Sequence, residues 1–270
     1  MSNENEADKM KPVLETTQKL YNEFSPENYL SQFYTTEIVP HDEEVIYAEL
    51  FRWLRQSNRR YQRAIEVGCG PTIHHALPLA PYVDSLTLAD YSARNRNILT
   101  KWWRGTPDAH DWNVYIRRTL ELGGGGIDGT AVDERTTLMR NCISDVCSCD
   151  LLQPAPLGKV DQFDLVSTFY TLENVAGDRE SWPRIMSNFT SLCRPGGMIW
   201  IVAARHCNWY EFEGNRYPTA SIDENDFLTV LPGLGFPSSN ITVNAHPIRG
   251  WEQEGLQQII TLKAIRELST

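Results

Sequence analysis

The stretch "IEVGCGPTIHHALPLAP" runs from Ile65 to Pro81 and sets the expected architecture of the chain. Its first residues read as the end of a short buried strand, and Gly68 and Gly70 follow at once. Glycine allows the backbone to turn sharply and lets a ligand approach it closely. The stretch therefore predicts a strand, a turn and a helix of the kind that binds a nucleoside cofactor, although a plain structural turn would use the same glycines.

Apolar runs and helical patterns alternate on both sides of this turn. Five predicted strands lie at residues 63–68, 85–91, 138–146, 162–170 and 197–204. Helical patterns such as Ala93–Trp103 and Trp182–Cys193 fill the gaps, and runs at 240–247 and 256–265 predict a final antiparallel pair. We therefore predict an α/β fold with a mostly parallel, seven-stranded sheet that has helices on both faces.

The regions outside these runs suggest how the chain is organised. Residues 1–11 are polar and read as a disordered tail, and residues 12–270 read as a single domain. Within that domain, residues 12–60 are helical and aromatic, with one helix face marked by Tyr47, Leu50, Phe51 and Leu54, and the core spans 61–270. The glycine-rich stretch at 123–134 predicts a flexible loop.

Composition excludes several classes of function. The 270 residues carry a net charge of −10, which argues against nucleic-acid binding, and no apolar run is long enough for a membrane span. We see no signal peptide, so the six cysteines read as reduced thiols of a cytoplasmic protein. Their spacing contains no paired CxxC motifs, so we predict no metal. No apolar surface stripe stands out, and we expect a monomer.

Two aspartates extend the glycine turn into a nucleoside pocket. Asp90 ends the second predicted strand, 20 residues after Gly70, where a carboxylate can accept hydrogen bonds from ribose hydroxyls. Asp150 follows the third strand and can accept from an adenine amino group. A dinucleotide motif would place a third glycine where this chain has Ile73. This favours S-adenosylmethionine, which has no phosphate, over a nicotinamide dinucleotide, which remains a distant alternative.

At this point the sequence resembles the small-molecule amine N-methyltransferases, which act on nicotinamide, phenylethanolamine, thioethers and indolethylamines. The resemblance covers about residues 18–265 and is carried, in order, by "FSPENYLSQFY", "GCGPTI", "LADYSARN", "CDLLQPAPLG", "LCRPGGMIWI" and "NWYEFEG". It implies a methyltransferase Rossmann fold with an N-terminal helical cap over the substrate. The cofactor residues that it implies are Tyr29, Tyr34, Gly68, Gly70, Thr72, Asp90, Asn95, Asp150 and Leu151, with Asp145 as a rival to Asp150.

The chain departs from the family pattern at two positions. His74 stands where the family often has tyrosine, which puts one hydroxyl contact to the cofactor in doubt. Ala203 stands at the end of the fifth strand, where the nicotinamide enzymes have aspartate. We therefore predict that nicotinamide is not the substrate.

The acceptor end combines acids with aromatic residues. The resemblance implies that Glu173 and Glu252 are catalytic acids, although each could also be an ordinary helix-end or loop acid, and His206 is a candidate base. The residues expected to bind a flat ring are Tyr21, Phe33, Tyr170, Trp209, Tyr210 and Trp251. We predict methyl transfer to a small aromatic or indolic acceptor, at an amine nitrogen. Methylation at carbon 3 of an indole, in secondary metabolism, and non-catalytic binding of the cofactor are the alternatives.

Overall fold

The computed structural model describes residues 18–34, 38–251 and 255–268. Residues 18–23 are helical. The helices that follow are α1 (Pro26–Phe33), α2 (His41–Ser57), α3 (Ala93–Arg104), α4 (Asn113–Gly123), α5 (Gly129–Cys142), α6 (Leu172–Ala176), α7 (Trp182–Ser191) and α8 (Glu224–Val230). The strands are β1 (Tyr61–Val67), β2 (Val83–Asp90), β3 (Ile143–Ser148), β4 (Phe163–Phe169), β5 (Cys193–Ala204), β6 (Trp209–Phe212), β7 (Asn215–Pro218), β8 (Ile241–Pro247) and β9 (Gln258–Ile265). The predicted tail at 1–11 lies outside the described residues.

Seven strands form one sheet in the order β3-β2-β1-β4-β5-β9-β8. β2 pairs in parallel with both β1 and β3, whereas β9 pairs antiparallel with β5 and with β8. The predicted seven strands and the final antiparallel pair are therefore confirmed. β6 and β7 form a separate antiparallel hairpin that the sequence analysis did not predict.

The described residues group into two compact units. The glycine-turn unit comprises residues 25–149 and 163–167, and the C-terminal unit comprises residues 18–24, 150–162 and 168–268. The single domain expected from the sequence stays a prediction. Within the residues that the structure describes, no helix has the length and apolar character needed to cross a membrane.

Helix α2 packs as its residue pattern predicts. Tyr47, Leu50, Phe51 and Leu54 are all buried, while Arg52 and Arg55 on the other face are exposed. Full burial of one such side chain stabilises a fold by about 1.5–3 kcal/mol. This single face therefore fixes α2 within the glycine-turn unit.

The loop predicted at residues 123–134 is wrong over half of its length. Helix α4 ends at Gly123, and Gly124 takes the left-handed conformation (φ +79°) that closes a helix without a steric penalty. Helix α5 then begins at Gly129, because the Asp128 carboxylate accepts a hydrogen bond from the backbone N–H of Ala131 (2.9 Å). The glycines lie at helix ends and in a short connection. The glycine-rich composition led to the prediction of a loop although an N-cap residue was present.

Candidate active site

The glycine turn leaves open space where a ligand would approach. Gly68 and Gly70 both have positive φ (+69° and +61°), and the N–H of Gly68 donates to the carbonyl of Ala89 (2.8 Å). A methyl group at Gly70 would meet no heavy atom of the described residues within 4 Å. The buried Thr72 hydroxyl donates to the carbonyl of Cys69 (2.8 Å) and holds the turn closed.

Asp90 is the buried acceptor beside this turn. Its Oδ2 accepts from the N–H of Gly70 (2.8 Å), and its Oδ1 accepts from the N–H of Ser92 (2.8 Å) and the amide of Asn95 (3.0 Å). Burial raises the pKa of the Asp90 carboxyl, while the hydrogen bonds from these three residues act to lower it. The carboxylate therefore joins the end of β2 to the glycine turn and to α3.

The same groups have acceptor capacity to spare. A carboxylate offers about four lone-pair positions, and the three donors at Asp90 occupy three of them. Oδ1 of the buried Asn95 has no hydrogen-bond partner among residues 18–34, 38–251 and 255–268. These two acceptors suit ribose hydroxyls, so the residues present fit S-adenosylmethionine at this position.

Tyr29 and Tyr34 lie together at the end of α1. Their rings are 5.6 Å apart and their hydroxyls are hydrogen bonded to each other. Tyr34 also packs against His74 (4.9 Å between ring centroids), which follows the glycine turn, and Phe33 packs against Tyr29 (5.0 Å). The two tyrosines therefore lie beside the turn, and the roles assigned to Tyr29, Tyr34 and Phe33 stay predictions.

Asp150 and Leu151 belong to the C-terminal unit. The N–H of Asp150 donates to the carbonyl of Pro156 (2.8 Å), and its Oδ1 accepts from the N–H of Leu152 (3.0 Å). The buried Leu151 has its carbonyl bound by the amide of Asn188 (2.8 Å). The rival residue, Asp145, lies inside β3 with an exposed side chain, which is consistent with the preference for Asp150.

Glu173 is a fully buried carboxyl on the short helix α6 that follows β4. One oxygen accepts from the N–H of Ala204, the last residue of β5, at 2.8 Å. The other oxygen has no hydrogen-bond partner within the described part of the chain. Burial raises the pKa of Glu173 to about 7, although the hydrogen bond from Ala204 opposes the shift. A carboxyl tuned in this way can exchange a proton near neutral pH.

The backbone that leads to Glu173 is held in an uncommon conformation. Tyr170 has φ +51°, its N–H donates to the carbonyl of Val202 (2.9 Å), and its carbonyl accepts from the amide of Asn174 (2.5 Å). A left-handed conformation is rare for a bulky residue and is found where surrounding contacts enforce it. These contacts fix the direction in which α6 begins.

Tyr21 and Tyr210 meet in an aromatic cluster with Tyr217. The rings of Tyr210 and Tyr217 are stacked at 4.7 Å, and the hydroxyls of Tyr210 and Tyr21 are 3.4 Å apart. The sequence analysis missed Tyr217, which becomes the cross-strand partner of Tyr210 only when β6 and β7 pair. The Arg216 guanidinium lies over the ring of Trp209 at 4.1 Å.

The remaining candidates are less enclosed. His206 has an exposed ring, and its backbone (φ +53°) donates to the carbonyl of Ile222 (2.9 Å). Trp251 is half-buried, and its carbonyl accepts from the N–H of Leu256 (3.1 Å). Glu252 lies outside the described residues. The roles assigned to these three residues stay predictions.

Solved structures with the same fold are methyltransferases. Magnesium protoporphyrin IX methyltransferase (ChlM) from Synechocystis PCC 6803, with bound SAM, aligns with a TM-score of 0.57 at 14% identity, over 94% of this chain and 97% of that chain. The DhpI–SAH complex aligns with a TM-score of 0.55 at 15% identity, over the same shares of the two chains. The fold of this chain is therefore the Rossmann-like fold of these methyltransferases.

Comparison with a family model assigns the chain to a narrower group than the fold does. The model of the NNMT/PNMT/TEMT family matches residues 12–261, and the chain belongs to that family. The predicted resemblance and the predicted cofactor are thereby confirmed, and the nicotinamide dinucleotide alternative is wrong.

Curated relatives are similar at moderate identity. Human nicotinamide N-methyltransferase is 27% identical over 257 residues, covering 91% of this chain and 95% of that protein. Phenylethanolamine N-methyltransferase of Macaca mulatta is 29% identical over 64% of this chain and 61% of its own length. Indolethylamine N-methyltransferase of Mus musculus is 27% identical over 68% of this chain and 71% of its own length. These relatives share a reaction and differ in acceptor, so identity at this level leaves the acceptor open.

Proposed function

We propose that this enzyme methylates the nitrogen of a small aromatic or indolic amine, and that Glu173 accepts the proton that the nitrogen loses. The observation that carries the proposal is the state of the Glu173 carboxyl. It is fully buried, one oxygen is fixed by Ala204, and the other oxygen is unpartnered among the described residues. An unpaired buried oxygen is unfavourable unless something binds it, and an amine N–H satisfies that requirement.

The chemistry needs few groups from the protein. When bound, S-adenosylmethionine supplies an electrophilic methyl group on a sulfonium. The acceptor nitrogen forms the new N–C bond as the S–C bond breaks, and the proton on nitrogen passes to the Glu173 carboxylate. Because the amine must arrive with a free lone pair, a carboxyl whose pKa lies near 7 is suited to hold it and to take its proton. Glu173 would later release that proton to solvent.

The aromatic residues of the C-terminal unit support a flat acceptor. Tyr21, Tyr210 and Tyr217 form a cluster in which Tyr210 stacks on Tyr217, and its rings and hydroxyls can contact an aromatic amine. The net charge of −10 gives a modest preference for cationic over anionic acceptors.

Nicotinamide is a poorer match to the residues present. The position where the nicotinamide enzymes have aspartate is occupied by Ala203, a buried residue of β5 that offers no acceptor to a carboxamide. The proposal therefore favours arylalkylamines and indolethylamines over nicotinamide.

Methylation at carbon 3 of an indole is less favoured. That reaction needs a base for the ring N–H, and the candidate base His206 has an exposed side chain. The curated relatives described above are all named as N-methyltransferases. Carbon methylation is the alternative outcome that the product analysis would detect.

The test is a comparison of acceptors with the wild-type chain. Tryptamine, phenylethylamine and nicotinamide are incubated separately with S-adenosylmethionine, and products are analysed by mass gain and by NMR assignment of the new methyl carbon. We expect an N-methyl product from at least one of the first two and at least about tenfold less product from nicotinamide. Turnover of nicotinamide alone, or a methyl group bonded to carbon, would overturn the proposal.

Four further predictions from the sequence remain proposals. We propose a cytoplasmic monomer that binds neither nucleic acid nor membranes, which is consistent with the acidic composition. Light scattering at micromolar concentration checks the monomer, and a shift assay with duplex DNA at low salt checks the absence of nucleic-acid binding.

A further inference from the structure

A cluster of buried acids and imidazoles lies behind the glycine turn. Glu43, in the first turn of α2, and the adjacent His74 and His75 are all buried. Nε2 of His74 lies 2.9 Å from Oε1 of Glu43, and Nε2 of His75 lies 3.0 Å from Oε2. Two histidines that are 31 and 32 positions from Glu43 in sequence thus direct their ring nitrogens at its carboxylate.

The donor atoms of the cluster have the spacing and chemistry of a metal site. One ligand atom from each of the three residues lies within 4.8 Å of the other two. Zinc bound to imidazole nitrogen and carboxylate oxygen has bonds of about 2.0–2.2 Å, so that tetrahedral ligand atoms are about 3.4 Å apart. Shifts of a few tenths of an ångström in side-chain position would therefore open the cluster around an ion.

A further buried carboxyl interacts electrostatically with the cluster. Glu66, in β1, is buried, and neither of its carboxylate oxygens has a hydrogen-bond partner within the described part of the chain. Burial raises the pKa of Glu66 to about 7, with an opposing effect of His75 and a supporting effect of Glu43. Glu66 thus interacts electrostatically with two members of the cluster while its own oxygens lack donors.

Charge balance favours a divalent cation. Two carboxylates and two neutral imidazoles around a divalent ion sum to zero, which is the least costly net charge for a buried site.

We propose that Glu43, His74 and His75 bind one divalent transition metal ion of the zinc type. The three ligands are buried, and a water molecule would complete a tetrahedral coordination. The ion would tie the first turn of α2 to the residues that follow the glycine turn. The stacking of Trp112 on the His74 ring (5.3 Å, 8° between planes) would hold one ligand in place.

The first experiment measures metal in the full-length protein. The chain is expressed without a polyhistidine tag, and metal content is measured by inductively coupled plasma mass spectrometry. We expect about one zinc ion per chain. After removal of the metal with a chelator, titration with Co²⁺ should give the visible absorption of a tetrahedral cobalt site and no near-ultraviolet band from thiolate ligands.

Variants identify the ligands. His75→Gln and Glu43→Gln should each weaken Co²⁺ binding at least about tenfold, because loss of a ligand exceeds the effect of losing an outer contact. His246→Gln is the matched control, since that histidine contacts Thr261 on β9 (2.8 Å) and lies outside the cluster. Circular dichroism of each variant checks that it folds.

Two results would overturn the proposal. The first is a folded wild-type chain that retains no metal and gives no cobalt spectrum, which would leave an ion pair between Glu43 and the histidines as the whole role of the cluster. The second is a cobalt spectrum that shows thiolate bands and persists in both cluster variants, which would assign the metal to cysteines. Neither result bears on the acceptor, so this inference fails independently of the proposed function.

Discussion

Asp90 and Glu173 are both buried carboxyls of this enzyme, and their different surroundings give them different capacities. Asp90 accepts hydrogen bonds from Gly70, Ser92 and Asn95, whereas Glu173 accepts one from Ala204 and keeps an unpartnered oxygen within the described residues. Burial raises the pKa of both, against three opposing hydrogen bonds at Asp90, whereas at Glu173 it raises the pKa to about 7. The number of donors therefore separates a carboxylate that binds from one that can exchange a proton.

The largest expected effect comes from removing the carboxylate of Glu173. Glu173→Gln keeps an oxygen for the Ala204 N–H but removes the proton acceptor, so we expect kcat to fall by about 10²–10⁴. S-adenosylhomocysteine affinity should stay within about twofold of wild type, because Asp90 is unchanged. Steady-state kinetics and calorimetry measure the two quantities. Glu211→Gln, an exposed residue of β6, is the matched control, and equal activity of the two variants would contradict the role of Glu173.

The second effect tests Asp90 as a binding group. Asp90→Ala removes the acceptor for three donors and for a ribose hydroxyl, and we expect S-adenosylhomocysteine to bind about 100-fold more weakly. Asp84→Ala removes the same charge from the same strand, where the carboxylate is half exposed and bound to Arg60. Titration calorimetry of both variants measures the difference. If the two folded variants bind the ligand equally, Asp90 is not part of the cofactor site.

The third expected effect is a pH dependence of kcat that comes from Glu173. Only the ionised Glu173 can accept a proton, and its ionised fraction falls about tenfold for each pH unit below a pKa of about 7. We therefore expect kcat to rise with pH between pH 5 and 7 and to level off above that, with a limb that is missing in Glu173→Gln. A pH profile with a saturating acceptor measures it. A limb that persists in the variant would assign the titration to another group, of which Glu66 is the first candidate.

The smallest effect concerns packing at the acceptor end. Tyr217→Leu removes the ring stacked on Tyr210, and such aromatic contacts contribute about 0.5–1.5 kcal/mol. We expect KM for the acceptor to rise about two- to tenfold, with kcat and S-adenosylhomocysteine affinity nearly unchanged. Tyr82→Leu, a half-buried tyrosine of the glycine-turn unit, serves as control. Equal KM values for the two variants would remove the tyrosine cluster from the acceptor site.

Much of the fold could be predicted because its signals are local. Short apolar runs, the Gly68–Gly70 turn and the helix face from Tyr47 to Leu54 each depend on neighbouring residues, and the sheet and α2 confirm them. The prediction of a loop at 123–134 was wrong over half of its length for a related reason. Asp128 caps a helix there, and the glycine-rich composition of the stretch does not reveal this cap.

The candidate site was predictable where a motif carried it. Asp90 and Asn95 follow the glycine turn at the spacing of the motif, and the Asn95 amide donates a hydrogen bond to the Asp90 carboxylate. Tyr217 and the Glu43–His74–His75 cluster were missed, and the prediction of no metal considered cysteine spacing alone. These groups become neighbours only through strand pairing or helix packing, so no spacing along the chain identifies them.

The sequence by itself determined the class of fold, the family and the cofactor, because these depend on residues close together in the chain. Tertiary structure decided how the pKa values of the acids differ. Glu173 resembles many helix-end glutamates in sequence, and the exclusion of water raises its pKa to about 7 against the opposing hydrogen bond from Ala204. Hydrogen bonding and desolvation are properties of three-dimensional surroundings, and they distinguish a proton acceptor from an ordinary acid.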